Sequence, residues 1–150
     1  VQGGWQAAEI QHVPKALHSN LTIFALGDSL TAAGFGSVAY GMMLSEMMGL
    51  QVDIAGVWGE RTRPMLERFA QHVTGGTDTA PEVVLVLAGT NDVCDEEPLP
   101  TILANLKEIH HLAGAQLSLV GVLGLPPFLD ERNEARRTAL NVALREQVAS

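Results

Sequence analysis

The chain has 150 residues, 47% of them hydrophobic and 17% charged, which suits a single domain with its own core and is too apolar for intrinsic disorder. Nine Lys and Arg against 17 Asp and Glu leave a formal net charge of −8, so the chain lacks the basic footprint that favours nucleic acids or anionic membranes. A single cysteine, Cys94, excludes a disulfide framework within the chain, and no apolar run approaches the roughly 18 residues of a membrane-spanning helix.

The sequence opens Val1-Gln2-Gly3-Gly4-Trp5, with no initiator Met and no signal-peptide pattern. The expectation is a processed start or a piece of something longer, with residues 1–20 as an N-terminal extension of a domain over residues 21–150. Leu21 to Leu26 is a short apolar run ending at Gly27 and predicts a buried strand. Val38 to Met48 carries Met, Leu and Ala at helical spacing, closed by Gly49. Gln51 to Val57 predicts a second strand, and Pro64 to Val73 a helix with proline in its first turn. Gly75-Gly76-Thr77-Asp78 is a loop before Val83-Val84-Leu85-Val86-Leu87, the clearest buried strand. Thr101 to Ala113 predicts a helix, Leu117 to Val122 a fourth strand suited to a sheet interior, and Glu131 to Val148 a final helix.

This β-α-β-α-β-α-β-α order predicts an α/β fold: a parallel sheet with helices on both faces. Ligands bind such sheets at the carboxyl ends of the strands, so the residues just after each strand carry the information. They are Gly27-Asp28-Ser29-Leu30-Thr31, then Gly56 to Thr62, then Ala88-Gly89-Thr90-Asn91-Asp92. Together they offer a Ser hydroxyl, a Gly N–H and an Asn amide. Those groups suit acyl transfer, with Ser as nucleophile and the donors cradling a tetrahedral oxyanion.

Gly27-Asp28-Ser29-Leu30, the later Gly59, and Gly89-Thr90-Asn91-Asp92 resemble blocks I, II and III of the SGNH (GDSL) hydrolases. The resemblance spans about residues 20–148. It implies a three-layer α/β/α, flavodoxin-like parallel sheet, and a serine esterase working through an acyl-enzyme at Ser29. It also implies an oxyanion hole made of the Ser29 N–H, the Gly59 N–H and the Asn91 side chain. Asp28 and Asp92 are expected to hold their loops rather than touch substrate. Leu30, Phe35 and Trp58 are candidates to line an apolar acyl pocket, although Trp58 equally suits packing beneath the second helix. The expected partner is a small-molecule ester or thioester. No metal and no organic cofactor is implied.

Other motifs carry less. Gly34-Phe35-Gly36-Ser37-Val38-Ala39 matches a dinucleotide fingerprint, but Gly27 already holds the strand end where its first glycine belongs. Helical geometry points the adjacent His110 and His111 about 100° apart, Asp95-Glu96-Glu97 reads as a solvated acidic loop, and Cys94 has no neighbouring base. The family's block V, an Asp-x-x-His sequence after a fifth strand, does not occur among the 150 residues. His12, His18, His72, His110 and His111 all precede the fourth strand. The expectation is therefore a domain missing its C-terminal part, with that segment supplied elsewhere and the 150 residues alone prone to dimerise. The alternative is a non-catalytic module that binds an acylated ligand on the same sheet edge.

Overall fold

The computed structural model describes residues 21–32, 39–75, 80–116, 118–128 and 130–149. Four strands, β1 (Thr22–Gly27), β2 (Gln51–Gly56), β3 (Val83–Leu87) and β4 (Leu119–Val122), form one sheet in the order β2-β1-β3-β4. Every pairing is parallel, so the strands share one carboxyl edge: Gly27 stands opposite Gly56 on one side and Leu87 on the other.

The helices follow from where the apolar residues fall. α4 (Leu99–Ala115) buries Ile102, Asn105, Leu106, Ile109 and Ala113, a stripe at spacings of three and four that faces the sheet. α2 (Thr62–Thr74) buries Met65 and Phe69 beside it, and α5 (Glu131–Ala149) adds Leu140 and Leu144. Alternation along the strands sends Phe24, Leu26, Val84 and Val86 into this same layer. Full burial of each such side chain contributes roughly 1.5–3 kcal/mol, so this face holds most of the fold's apolar stabilisation. α1 (Tyr40–Met48) lies on the other face, where Gly41 meets Val52 and Ile54 of β2. A fifth helix, α3 (Thr90–Cys94), is a short turn directly after β3.

The predicted α/β architecture is the one observed, with differences of detail. α2 begins at Thr62 rather than Pro64, and α4 at Leu99 rather than Thr101; Pro100 is accommodated in the first turn, where no intrahelical N–H partner is lost. β4, apolar enough for a sheet interior, is an outer strand of the four described, with Leu119 73% exposed. Val38 and Leu117, at the starts of the predicted first helix and fourth strand, lie outside the described residues, as do Gly76, Thr77 and Asp78 of the predicted loop.

Candidate active site

Block I is a turn built on β1. The Asp28 carbonyl accepts hydrogen bonds from the N–H groups of both Thr31 (3.1 Å) and Ala32 (3.0 Å). The Asp28 carboxylate reaches forward to accept the Leu30 N–H at 2.9 Å. Ser29 is thereby set on a tight, half-buried turn immediately past the central strand. Gly27 is required there: a Cβ at this position would lie 2.0 Å from the Thr31 hydroxyl and 2.5 Å from the Leu87 carbonyl. Asp28 is completely buried. Burial pushes its carboxyl above the usual carboxylate range, the Leu30 N–H and the nearby Thr90 hydroxyl pull it back, and Asp92 pushes it up again.

Block II follows β2. Val57 N–H donates to the Gly27 carbonyl (3.1 Å), which continues the β1–β2 ladder and brings the next residues alongside the Ser29 turn. Val57 to Glu60 then close a β-turn through Glu60 N–H to the Val57 carbonyl. Gly59 in its third position has φ 68°, a conformation glycine adopts without steric cost. The buried Glu60 carboxylate pairs with Arg68 at 2.6 Å, and Arg68 also donates to the Ala55 carbonyl at 3.1 Å. This pins the turn to α2 at one end and β2 at the other.

Block III is α3, where Asn91 and Asp92 have separate tasks. The Asn91 side-chain amide donates to the Glu60 carbonyl at 2.9 Å, tying block III to the residue next to Gly59. An amide nitrogen carries two N–H groups, so one remains for another acceptor. Asp92, almost wholly buried, accepts from Thr62 N–H (2.9 Å to one oxygen, 3.2 Å to the other) and from the Thr62 hydroxyl (2.6 Å). Asn105 in turn donates to that hydroxyl at 3.1 Å. A carboxylate at the first residue of α2 supplies a partner for an N–H that has none within the helix, and it complements the helix dipole.

The family model for GDSL-like lipases and acylhydrolases matches residues 25–150. The chain belongs to this family. Its fold is similar to that of a proposed lipolytic protein of the G-D-S-L family from Desulfitobacterium hafniense DCB-2 (TM-score 0.76, 19% identity, 87% of this chain and 73% of that one). It is also similar to AlinE4, an SGNH-hydrolase family esterase (TM-score 0.69, 25% identity, 87% and 74%). A third similar structure is the psychrotrophic esterase EstA from Pseudoalteromonas sp. (TM-score 0.66, 22% identity, 85% and 73%). No curated protein sequence matches the chain.

Within this GDSL-like domain, Ser29, Gly59 and Asn91 stand on three consecutive turns at one sheet edge. Leu30 and Trp58, 40% and 48% exposed, flank the first two turns. Phe35, with Gly34 and Gly36, falls outside the described residues. The histidines lie elsewhere. His72 is near the far end of α2, stacked on Phe24 with ring centroids 4.8 Å apart. His110 and His111 are on the last turns of α4, which runs antiparallel to the strands. Among the described residues, none of the three is hydrogen-bonded to Ser29. Burial lowers the His110 pKa, and its Nε2 is buried without a hydrogen-bond partner. A cavity of about 640 Å³ opens between the segment after β4 and α5, lined by Val122, Leu125, Leu144 and Val148 among others; Ser29, Gly59 and Asn91 do not line it. Among the described residues, no group of three or more His, Cys, Asp or Glu is placed to hold a metal ion, and no helix is long and apolar enough to cross a membrane.

Sequence reading did not single out Thr62, Asn105, Glu60 or Arg68. Each acts through a partner 8 to 43 positions away, so no local spacing marks it.

Proposed function

We propose that the chain is a serine esterase acting on a small-acyl ester or thioester, with Ser29 as nucleophile and Ser29 N–H, Gly59 N–H and Asn91 Nδ2 as oxyanion donors. Ser29 Oγ attacks the carbonyl carbon as its proton passes to a general base, and the carbonyl oxygen takes the negative charge facing the three donors. Collapse breaks the bond to the alcohol or thiol, which leaves with that proton. Water, deprotonated by the same base, then attacks the acyl-enzyme and releases the acid and free Ser29.

The observation that carries this reading is the Asn91 to Glu60 hydrogen bond. It holds an amide with a further N–H beside the Gly59 turn, at the edge where Ser29 stands. Leu30 and Trp58, together with Phe35, are assigned to the acyl-binding wall. The described histidines stand on other elements, so the reading assigns the base to an Asp-x-x-His sequence that these 150 residues do not contain. Residues 21–150 then form a hydrolase domain whose base comes from a further segment. If that base does not exist, the same edge reads as a non-catalytic acyl-ligand-binding module.

The test uses the intact protein with a fluorophosphonate probe and p-nitrophenyl acetate. Ser29→Ala should abolish both labelling and turnover. Asn91→Ala should still label while turnover falls roughly 10²–10³-fold, the usual loss for one oxyanion donor. Full activity in Ser29→Ala would refute the hydrolase reading, and tight binding of an acylated ligand without turnover in the unaltered protein would favour the binding module.

A further inference from the structure

Directly behind the Ser29 turn, four buried oxygens lack a hydrogen-bond partner: Asp28 Oδ2, Thr31 Oγ1, Tyr40 OH and Thr90 Oγ1. They come from three parts of the fold: the Ser29 turn, the first residue of α1 and the first residue of α3. Leaving a polar group buried and unpaired is costly, and four in one place are a concentration that a packed core does not otherwise tolerate. They also lie near one another. Thr90 is close enough to Asp28 to favour its charged form, Thr31 does the same for Tyr40, and the Asp28 charge in turn opposes ionisation of Tyr40.

The donors and acceptors can pair so that each of the four atoms gains a partner. Each hydroxyl has one proton to give, and a carboxylate oxygen can accept two. Thr90 stands within reach of the Asp28 carboxylate and Thr31 within reach of Tyr40, so Thr90 can donate to Asp28 Oδ2 and Tyr40 to Thr31, whose own N–H already donates to the Asp28 carbonyl at 3.1 Å. All four groups are then satisfied by side-chain adjustments. We propose that Thr31, Tyr40 and Thr90 are positioning residues, whose hydroxyls converge through Asp28 to fix the Ser29 turn relative to the Asn91 helix and to α1. Thr90 immediately precedes Asn91, and Thr31 follows Ser29 by two residues. The Asp28–Thr90 link therefore sets the spacing between attacking oxygen and oxyanion donor, where small misplacements are expensive in rate. This rests on the assignment of Ser29 as nucleophile.

The test combines two readouts on the intact protein carrying Thr90→Val, Thr90→Ser or Tyr40→Phe, each close in shape to the original. The first is a carbon-detected NMR titration of the Asp28 carboxyl, for which the ionisable groups facing it are Asp92 and Cys94 from the β3–α3 segment and Tyr40 from α1. Losing the hydroxyl that supports the carboxylate should move the Asp28 titration to higher pH in Thr90→Val, while Thr90→Ser restores it and Tyr40→Phe, whose hydroxyl faces Thr31, leaves it nearly in place. The second is ester hydrolysis: kcat should fall roughly three- to tenfold in the two deletions, as expected for one hydrogen bond, with KM unchanged and recovery in Thr90→Ser. An Asp28 titration that does not move in Thr90→Val overturns the network, as does a loss confined to melting temperature in both deletions. Fluorophosphonate labelling of Ser29 in the same samples separates the two ideas. Absent labelling removes the nucleophile assignment, while the Asp28 titration still reports on the hydroxyls.

Discussion

Asp92 holds the first residue of α2 and carries the loop that presents Asn91, so its removal should register first as stability. Asp92→Ala deletes the acceptor for two buried donors, the Thr62 N–H and the Thr62 hydroxyl. A hydrogen bond to a charged acceptor is worth about 1.5–3 kcal/mol, so the pair sums to about 3–6. Thr62 keeps its hydrogen bond from Asn105, and its hydroxyl can rotate toward another acceptor, which brings the expected loss to about 3–4 kcal/mol. That is a large share of a stability of about 5–15 kcal/mol. Asp92→Asn keeps one carbonyl oxygen in place and can still accept the Thr62 N–H, so its expected loss is about 1–2 kcal/mol. Urea unfolding of the unaltered protein and both variants measures this directly, as a shift of the midpoint at constant slope. A loss below about 1 kcal/mol in Asp92→Ala, or an asparagine variant less stable than the alanine one, would refute the assignment of these bonds as the anchor of α2.

Two further outcomes rest on single contacts. Gly27→Ala should destabilise the protein by roughly 2 kcal/mol or more by overpacking, because the added methyl would collide with the Leu87 backbone as well as the Thr31 side chain; an unchanged melting temperature would mean that the strand ends are looser than these contacts require. Burial lowers the pKa of His110 below its ordinary value of 6.5, so the unfolded chain takes up that proton first and stability falls as pH drops from about 7 through that value. His110→Gln should reduce the fall, measured by urea unfolding at pH 7.5 and 5.5, and a pH dependence identical to the unaltered protein would exclude His110 as its source.

The parallel sheet was legible because β1 and β3 are runs of Ile, Phe, Leu and Val that only an interior strand can bury, and the turn glycines punctuate them. The three blocks were legible for a related reason: in a parallel sheet, the residues just past each strand must gather at one edge. α3 escaped because five residues hold too little of a helical period to be seen. The start of α2 escaped because it is fixed by Asp92, 30 residues away, and not by Pro64 beside it. The cluster around Asp28 is hidden in the same way. Thr31, Tyr40 and Thr90 are ordinary surface-type residues in sequence, and only the packing of α1 and α3 against the Ser29 turn buries their hydroxyls.

Rigidity in this fold is distributed in a way that favours the Ser29 edge. β1 is paired on both sides and buried along nearly its whole length, whereas among the described residues β2 is largely exposed and β4 pairs with β3 alone. Local opening therefore costs most at β1 and β3 and least at the two outer strands. The two best-held strands lead directly into Ser29 and Asn91, and the weaker β2 reaches Gly59. That weaker turn is also the one with extra fastening: the Glu60–Arg68 ion pair, the Arg68 bond to the Ala55 carbonyl, and the Asn91 amide on the Glu60 carbonyl. A carboxylate–guanidinium pair with one partner almost buried contributes little net stability once desolvation is counted, but it restricts the turn to one geometry. The oxyanion donors proposed here would need that restriction more than stability, since a donor aimed even slightly away from the developing charge is lost to the reaction.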